Sequence, residues 1–220
     1  AAQRMVAEYP DMVGATGSYL SSFTLAVTEI TERADLPVLT LSYSDLITGR
    51  DFDNVFQTSA TSGAQAEIAL PIIMDLAESQ TGKRPKTVAV ITDNTAASLS
   101  SVKRMKEGLF DDVGLELVSE EVFTPPLADA SALVQQLRGK RPDLLFFLPT
   151  VISDSKLILE KMREFRVQVP TISFGIAIAE PEVLKTVDPA LLDGVMSAVA
   201  NWGVKGQEDF IKRLEDVYGE

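Results

Sequence analysis

The residues best placed to do chemistry in this chain are hydroxyls. Gly17-Ser18-Tyr19-Leu20-Ser21-Ser22-Phe23-Thr24 follows a short extended run, Asp11–Thr16, and precedes a helix-period run marked by Leu25, Val27 and Ile30. That order reads as strand, small-residue loop, helix start. Such a loop aims backbone N–H groups and hydroxyls at one point, and the helix dipole favours negative charge there. Two readings are open: a cradle for a carboxylate or other acceptor, or a serine N-cap on an ordinary βα turn. A second small polar loop, Ser42-Tyr43-Ser44, ends the apolar run Leu36–Leu41. Two successive βα units place both loops at the carboxyl edge of one parallel sheet, where open α/β sheets bind ligands.

Other chemistry is thin. The 220 residues contain no histidine and no cysteine. A Ser-His-Asp triad, a His-activated nucleophile, a His-ligated zinc and disulfides are therefore impossible within the chain. The acidic pairs Asp51/Asp53 and Asp111/Asp112 sit in turns and helix ends without a partner base and read as solvated, so no enzyme is expected. Asp51-Phe52-Asp53-Asn54 lacks the glycine and terminal glutamate of a calcium loop, so no metal is assigned. Neither a G-x-G-x-x-G fingerprint nor a P-loop occurs, and no cofactor is expected. A net charge of −12 with no basic cluster argues against nucleic acid. No run of 18 apolar residues is present.

The elements that must hold these loops alternate strand and helix. After the first two units comes a short strand at Asn54–Thr58, then a helix capped by Thr61-Ser62-Gly63 and running to about Gln80, with a kink expected at Pro71. Thr87–Thr92 and Asp143–Leu148 are nearly continuous apolar runs, as in strands covered on both faces. Leu99, Val102, Met105, Leu109 and Phe110 mark one helix, and Leu157, Ile158, Met162 and Phe165 another. Leu115–Phe123, Pro170–Phe174 and Gly194–Ala200 read as strands. Ser131–Arg138, Pro181–Val187 and Gln207–Tyr218 read as helices. The class is α/β with mainly parallel sheets flanked by helices. Crossovers at Thr58–Ser62 and Val199–Gly203 would divide it into a partial first lobe, 1–61, a second lobe, 62–200, and a return into the first lobe, 201–220. The opening residues read as the end of a helix, so the sequence is expected to begin inside a fold.

Five stretches resemble the branched-chain amino-acid type of substrate-binding protein from ABC transporters, the type I periplasmic binding proteins. Gly17–Leu25 is similar to that family's G-G-Y-S-S-S-V-T-L, and Leu36–Ser44 to V-P-L-I-S-P-S-A-T. Val55-Phe56-Gln57-Thr58 is similar to V-F-R-T, and Val90–Asn94 to the V-L-Y-D-N strand end. Asp129–Val134 is similar to D-F-S-A-L-V, followed by Pro142-Asp143-Leu144-Leu145-Phe146. Their order and spacing span nearly the whole chain. The resemblance implies two lobes with a small ligand in the cleft, no catalysis, and delivery to a membrane permease. It also implies a monomer or weak dimer in the periplasm, or outside the cell on a membrane anchor, made with a signal peptide. The same fold also serves as a ligand-sensing domain in receptors. Against the family, this sequence lacks part of the first lobe and is expected to be a piece of a longer protein.

By the same resemblance the ligand's carboxylate falls to Ser21, Ser42 and Ser44. Ser22 either joins them or caps the helix, Tyr43 either stacks on ligand or covers core, and Tyr19 reads as structural. Asn94, Thr150 and Phe174 complete the expected site. The sequence departs from the family at three places. The family's amino-acid binders carry a tyrosine where this chain has Ala97, an aromatic near Thr150, and an ammonium-pairing carboxylate near Gly175. A buried ammonium without a counter-charge is costly. The expected ligand is therefore not a plain α-amino acid but an apolar carboxylate, aromatic or aliphatic, or an amino-acid derivative, with Phe174, Ile176 and Tyr43 as walls.

Overall fold

The computed structural model describes residues 1–198 and 206–219. The chain opens with α1 (Ala2–Glu8), β1 (Ala15–Thr16), α2 (Ser21–Glu32), β2 (Val38–Thr40) and β3 (Val55–Gln57). β1, β2 and β3 form a parallel three-stranded sheet in that order. α2 turns its threonines inward: Thr24, Thr28 and Thr31 are buried and satisfy their hydroxyls on the helix's own carbonyls and on Ser42. β1 is two residues long, not six as expected from Asp11–Thr16. It is an edge strand, and Val13 before it is exposed, so the residues leading in have no neighbour to pair with.

α3 (Ser62–Thr81) leads into the second sheet. Thr61 caps it by accepting the Ala64 N–H, and Gly82 ends it in the left-handed conformation. The helix runs through Pro71 without a break. Pro71 lies on the exposed side, where a carbonyl that has lost its N–H partner can be hydrated. The chain continues through β4 (Thr87–Asp93), α4 (Ala96–Arg104), α5 (Phe110–Asp112), β5 (Glu116–Phe123), α6 (Ser131–Lys140), β6 (Leu144–Leu148), α7 (Ile152–Glu164) and β7 (Thr171–Ser173). α8 (Val183–Thr186), β8 (Val195–Ser197) and α9 (Glu208–Tyr218) come last. The single helix expected over Leu99–Phe110 is broken by a wide turn at Met105–Leu109, where Gly108 takes a φ of 130°.

The second sheet is parallel in the order β5-β4-β6-β7-β8. Its two central strands alternate between two cores. Val88 and Val90 of β4, with Leu144, Phe146 and Leu148 of β6, pack under α3 and α4. Ala89, Ile91, Leu145 and Phe147 pack on the other face under α6 and α7. Continuous apolar sequence and double-sided burial are here one fact. From β4 the chain steps out to β5 and returns on the other side as β6, so a switch point lies at the carboxyl ends of β4 and β6.

A strut ties the sheets together near residues 58–61. The Asp45 carboxylate accepts from Thr61 Oγ1, the Gly63 N–H and Ser100 Oγ, at 2.5, 2.9 and 2.8 Å. The second expected crossover, Val199–Gly203, lies outside the described residues. α9 is where a helix was expected, and none of its residues is buried.

Candidate functional site

A cavity of about 250 Å3 lies between the two sheets. Its wall is built from the loops and helix starts just beyond the strands: Tyr19–Phe23 after β1, Tyr43 after β2, Thr95 and Ala97 after β4, Thr150 and Val151 after β6, and Phe174–Ile176 after β7. Ser62 and Gln65 of α3, Ser98 and Ser101 of α4, and Pro125 complete it. Among the described residues no Asp, Glu, Lys or Arg lines it. Three helices, α2, α4 and α7, begin at or beside it. Their N-termini give a positive potential without a cationic side chain.

On the first-sheet side, neither serine caps α2; Leu20 is the N-cap and makes no side-chain cap bond. Instead Ser21 Oγ accepts from the Tyr43 and Ser44 backbone N–H groups, both at 3.1 Å. Both its lone pairs are used, and its proton is left over. Ser22 Oγ accepts from the Ala96 N–H at 3.1 Å, a bond that spans from α2 to the first residue of α4 and so joins the two sheets' helices across the cavity. Its proton is also left over.

On the second-sheet side one fully buried carboxylate governs the hydroxyls. Asp93, the last residue of β4, accepts from the N–H and Oγ1 of Thr95 on one oxygen, at 3.0 and 2.6 Å. Its other oxygen accepts from the N–H and Oγ1 of Thr150, at 2.6 and 2.7 Å. Asp93 thus clamps the loops after β4 and β6 together at the switch point. Ser98 donates to the Leu148 carbonyl at 2.9 Å, and its oxygen lies 3.1 Å from Thr95 Oγ1. Thr95, Thr150 and Ser98 have therefore committed their protons away from the cavity.

Four aromatic residues, Tyr19, Phe23, Tyr43 and Phe174, share the apolar wall with aliphatic ones. Phe174 is buried and meets Phe146 edge to face, with ring centroids 5.2 Å apart. Tyr19 and Phe23 sit toward the mouth, 58% and 62% exposed. The Tyr19 hydroxyl donates to Glu180 across the gap at 3.4 Å, a weak contact. Burial, and then the charge of Glu180, raise the Tyr19 pKa above its usual 10.0. Gly175 passes so close to the loop after β6 that a Cβ there would lie 2.2 Å from the Pro149 carbonyl oxygen.

Of the residues singled out from sequence, Ser21, Ser22, Tyr43, Thr150 and Phe174 line this cavity, as does Ile176. Ser42, Ser44 and Asn94 do not. Ser42 is fully buried, and its hydroxyl lies 2.7 Å from the Ser18 carbonyl and 2.6 Å from Thr24 Oγ1. It satisfies a loop in which Gly17 and Ser18 both have positive φ. Ser44 Oγ accepts from the Leu46 N–H in its own turn. Asn94 is exposed and donates to Thr124 Oγ1 at 2.9 Å. Tyr19, read as structural, is on the wall. Sequence reasoning missed Ser98 and Ser101, whose signal was a three-residue spacing at the start of α4, and Ser62 and Gln65 on α3. Asp51, Asp53, Asp111 and Asp112 are exposed, and among the described residues no group of three acidic residues could hold a metal ion. No described helix is long and apolar enough to cross a membrane.

A family model described as periplasmic binding protein matches residues 1–220. Among solved structures, a leucine-binding protein from Thermotoga maritima superposes with a TM-score of 0.77 at 19% identity, covering 100% of this chain and 62% of that one. A type 1 periplasmic binding protein from Bordetella pertussis gives 0.79 at 20%, covering 98% and 58%. A solute-binding protein of an ABC transporter from Rhodopseudomonas palustris, in complex with 3,4-dihydroxybenzoic acid, gives 0.71 at 18%, covering 99% and 58%. The chain thus spans about six-tenths of the length of these relatives. No curated protein matches the sequence.

Proposed function

The chain belongs to the periplasmic binding protein family, and on that premise we propose that it captures a small monocarboxylate with an apolar, preferably aromatic, body. It would hand that ligand to an ABC-transporter permease in the periplasm or at the outer cell surface. The observation that carries this reading is a cavity with no Asp, Glu, Lys or Arg on its wall among the described residues, entered by helix N-termini. An α-amino acid brings an ammonium, which this cavity would leave without a counter-charge beside three positive helix ends. A carboxylate alone is suited to it: the spare protons of Ser21 and Ser22 and the first amides of α2 are donors, each charge-assisted bond contributing roughly 1.5–3 kcal/mol. Tyr43, Phe174, Ile176 and Val151 supply an apolar slot for the rest. The benzoate-type ligand in the Rhodopseudomonas palustris relative is consistent with this choice.

Native mass spectrometry of the full-length protein weighs any co-purified ligand, and calorimetry compares benzoate with leucine and valine. The expected outcome is binding of the aromatic acid and none of the amino acids. Ser21→Ala is expected to weaken the acid about ten- to a hundredfold. Tight leucine binding with no response to organic acids would sink the reading.

A further inference from the structure

From the sense of the cavity's hydrogen bonds we infer that it selects a ligand with a hydrogen-bond donor at the end away from the carboxylate, in chemical class a hydroxy-substituted aryl acid. Asp93 is the positioning residue that sets this requirement. The inference rests on the carboxylate reading above and adds to it the polarity of the other end.

A hydroxyl has one proton and two lone pairs. Ser21 receives two backbone N–H groups, so it can only donate to a ligand. The second-sheet wall is the reverse. Asp93 is a buried acceptor with two oxygens, and it takes one proton from Thr95 and one from Thr150. Ser98 spends its proton on the Leu148 carbonyl. Thr95 Oγ1 and Ser98 Oγ lie 3.1 Å apart and pair with each other, so among the described residues the Thr150 oxygen is the hydroxyl left as an acceptor without a donor. Among the described residues the Tyr43, Ser62 and Ser101 hydroxyls are engaged in no hydrogen bond and serve in either sense, so they impose no direction. The fixed groups impose one: acceptor toward the first sheet, donor toward the second. An acid with a bare ring leaves the Thr150 oxygen dry and unpaired when it displaces water, which is penalised. A phenolic proton satisfies it.

The test is calorimetry on the full-length protein with benzoate, 3- and 4-hydroxybenzoate and 3- and 4-fluorobenzoate. Fluorine is close to hydroxyl in size and has no proton. One hydroxy isomer is expected to bind about tenfold more tightly than benzoate and than its own fluoro counterpart. Equal affinity across hydroxy, fluoro and unsubstituted acids overturns the directional requirement while leaving the carboxylate reading in place. Failure of every one of these acids overturns both. Asp93→Asn places N–H donors against one threonine, which frees that threonine's proton to donate, so the hydroxy-to-fluoro affinity ratio is expected to fall toward one. Thr150→Val, which leaves the buried carboxylate in place, is expected to lower the same ratio severalfold. A merely structural role for Asp93 would weaken all the acids alike and leave the ratio unmoved, and that result, or an unchanged ratio in Thr150→Val, overturns the assignment.

Discussion

Gly175 shows how a single backbone position decides what the cavity can bind. Its φ of −83° is ordinary, so the glycine is required by space and not by conformation. A Cβ would meet the Pro149 carbonyl oxygen at 2.2 Å and the Leu148 carbonyl carbon at 2.8 Å, both backbone atoms that cannot swing aside. By resemblance this is where amino-acid binders carry the carboxylate that pairs with an ammonium. Here no side chain fits without the loops after β6 and β7 moving apart. Gly175→Ala is expected to destabilise the protein by at least about 1–3 kcal/mol in urea titration, and Gly175→Asp is expected not to create leucine binding. A Gly175→Asp protein of unchanged stability that binds leucine would show that the approach is slack. The hydroxyls were harder to read from sequence than the glycine. Ser21 and Ser42 sit in equally small polar loops, yet one faces the cavity and the other is consumed by the Ser18 carbonyl. Residue type and strand-end position locate a hydroxyl to the right edge of a sheet. Which carbonyls its own loop leaves unsatisfied decides where it points, and that depends on the positive φ angles at Gly17 and Ser18.

β4 and β6 are the elements on which the second-sheet wall is mounted, and each end of the pair is fixed by an aspartate. Asp93 joins their carboxyl ends. At the amino ends Asp143 accepts the Lys86 and Thr87 N–H groups at 2.9 and 3.2 Å, with Lys83 at 3.4 Å. Those backbone bonds first, and then Lys83, hold the Asp143 carboxyl below its ordinary 3.8. A carboxyl with a depressed folded value contributes stability above its unfolded pKa and loses it as pH falls through the folded one. Asp143→Asn is therefore expected to lower the melting temperature modestly at neutral pH, since the group is partly exposed. The gap to the parent protein should close as pH drops below about 4. A gap that stays constant from pH 7 to pH 2 would assign the effect to packing and not to charge. These two strands were legible because burial on both faces leaves an uninterrupted apolar run. β1 and α8 were legible in place but not in length, because the bounds of a two-residue edge strand and a four-residue helix are set by neighbours and carry no periodicity of their own.

At the scale of the molecule, among the described residues, the second sheet is covered on both faces and the first is not. Val38 and Val55 are buried as register partners, whereas Leu39 and Phe56, the next pair, are 49% and 51% exposed on the opposite face. α3 shows Ile68 and Ile72 to solvent one turn apart, and α9 shows Phe210, Leu214 and Val217 with nothing buried against them among the described residues. The sequence made α9 plain as an amphipathic helix. It could not supply the surface that α9 packs on, because amphipathicity records that a partner is needed and not which one. Paired apolar positions on an open parallel sheet, next to an edge strand as short as β1, favour contact with another chain. Residues 1–220 produced on their own are therefore expected to self-associate as concentration rises, with sedimentation showing the mass. Replacing Leu39 and Phe56 together by threonine keeps β propensity while removing the apolar pair, and should shift the equilibrium toward monomer. Val38 and Val55, one residue away, face the core, so Val38→Thr should cost stability without relieving association. If both substitutions act alike, the exposed face is not what holds the copies together.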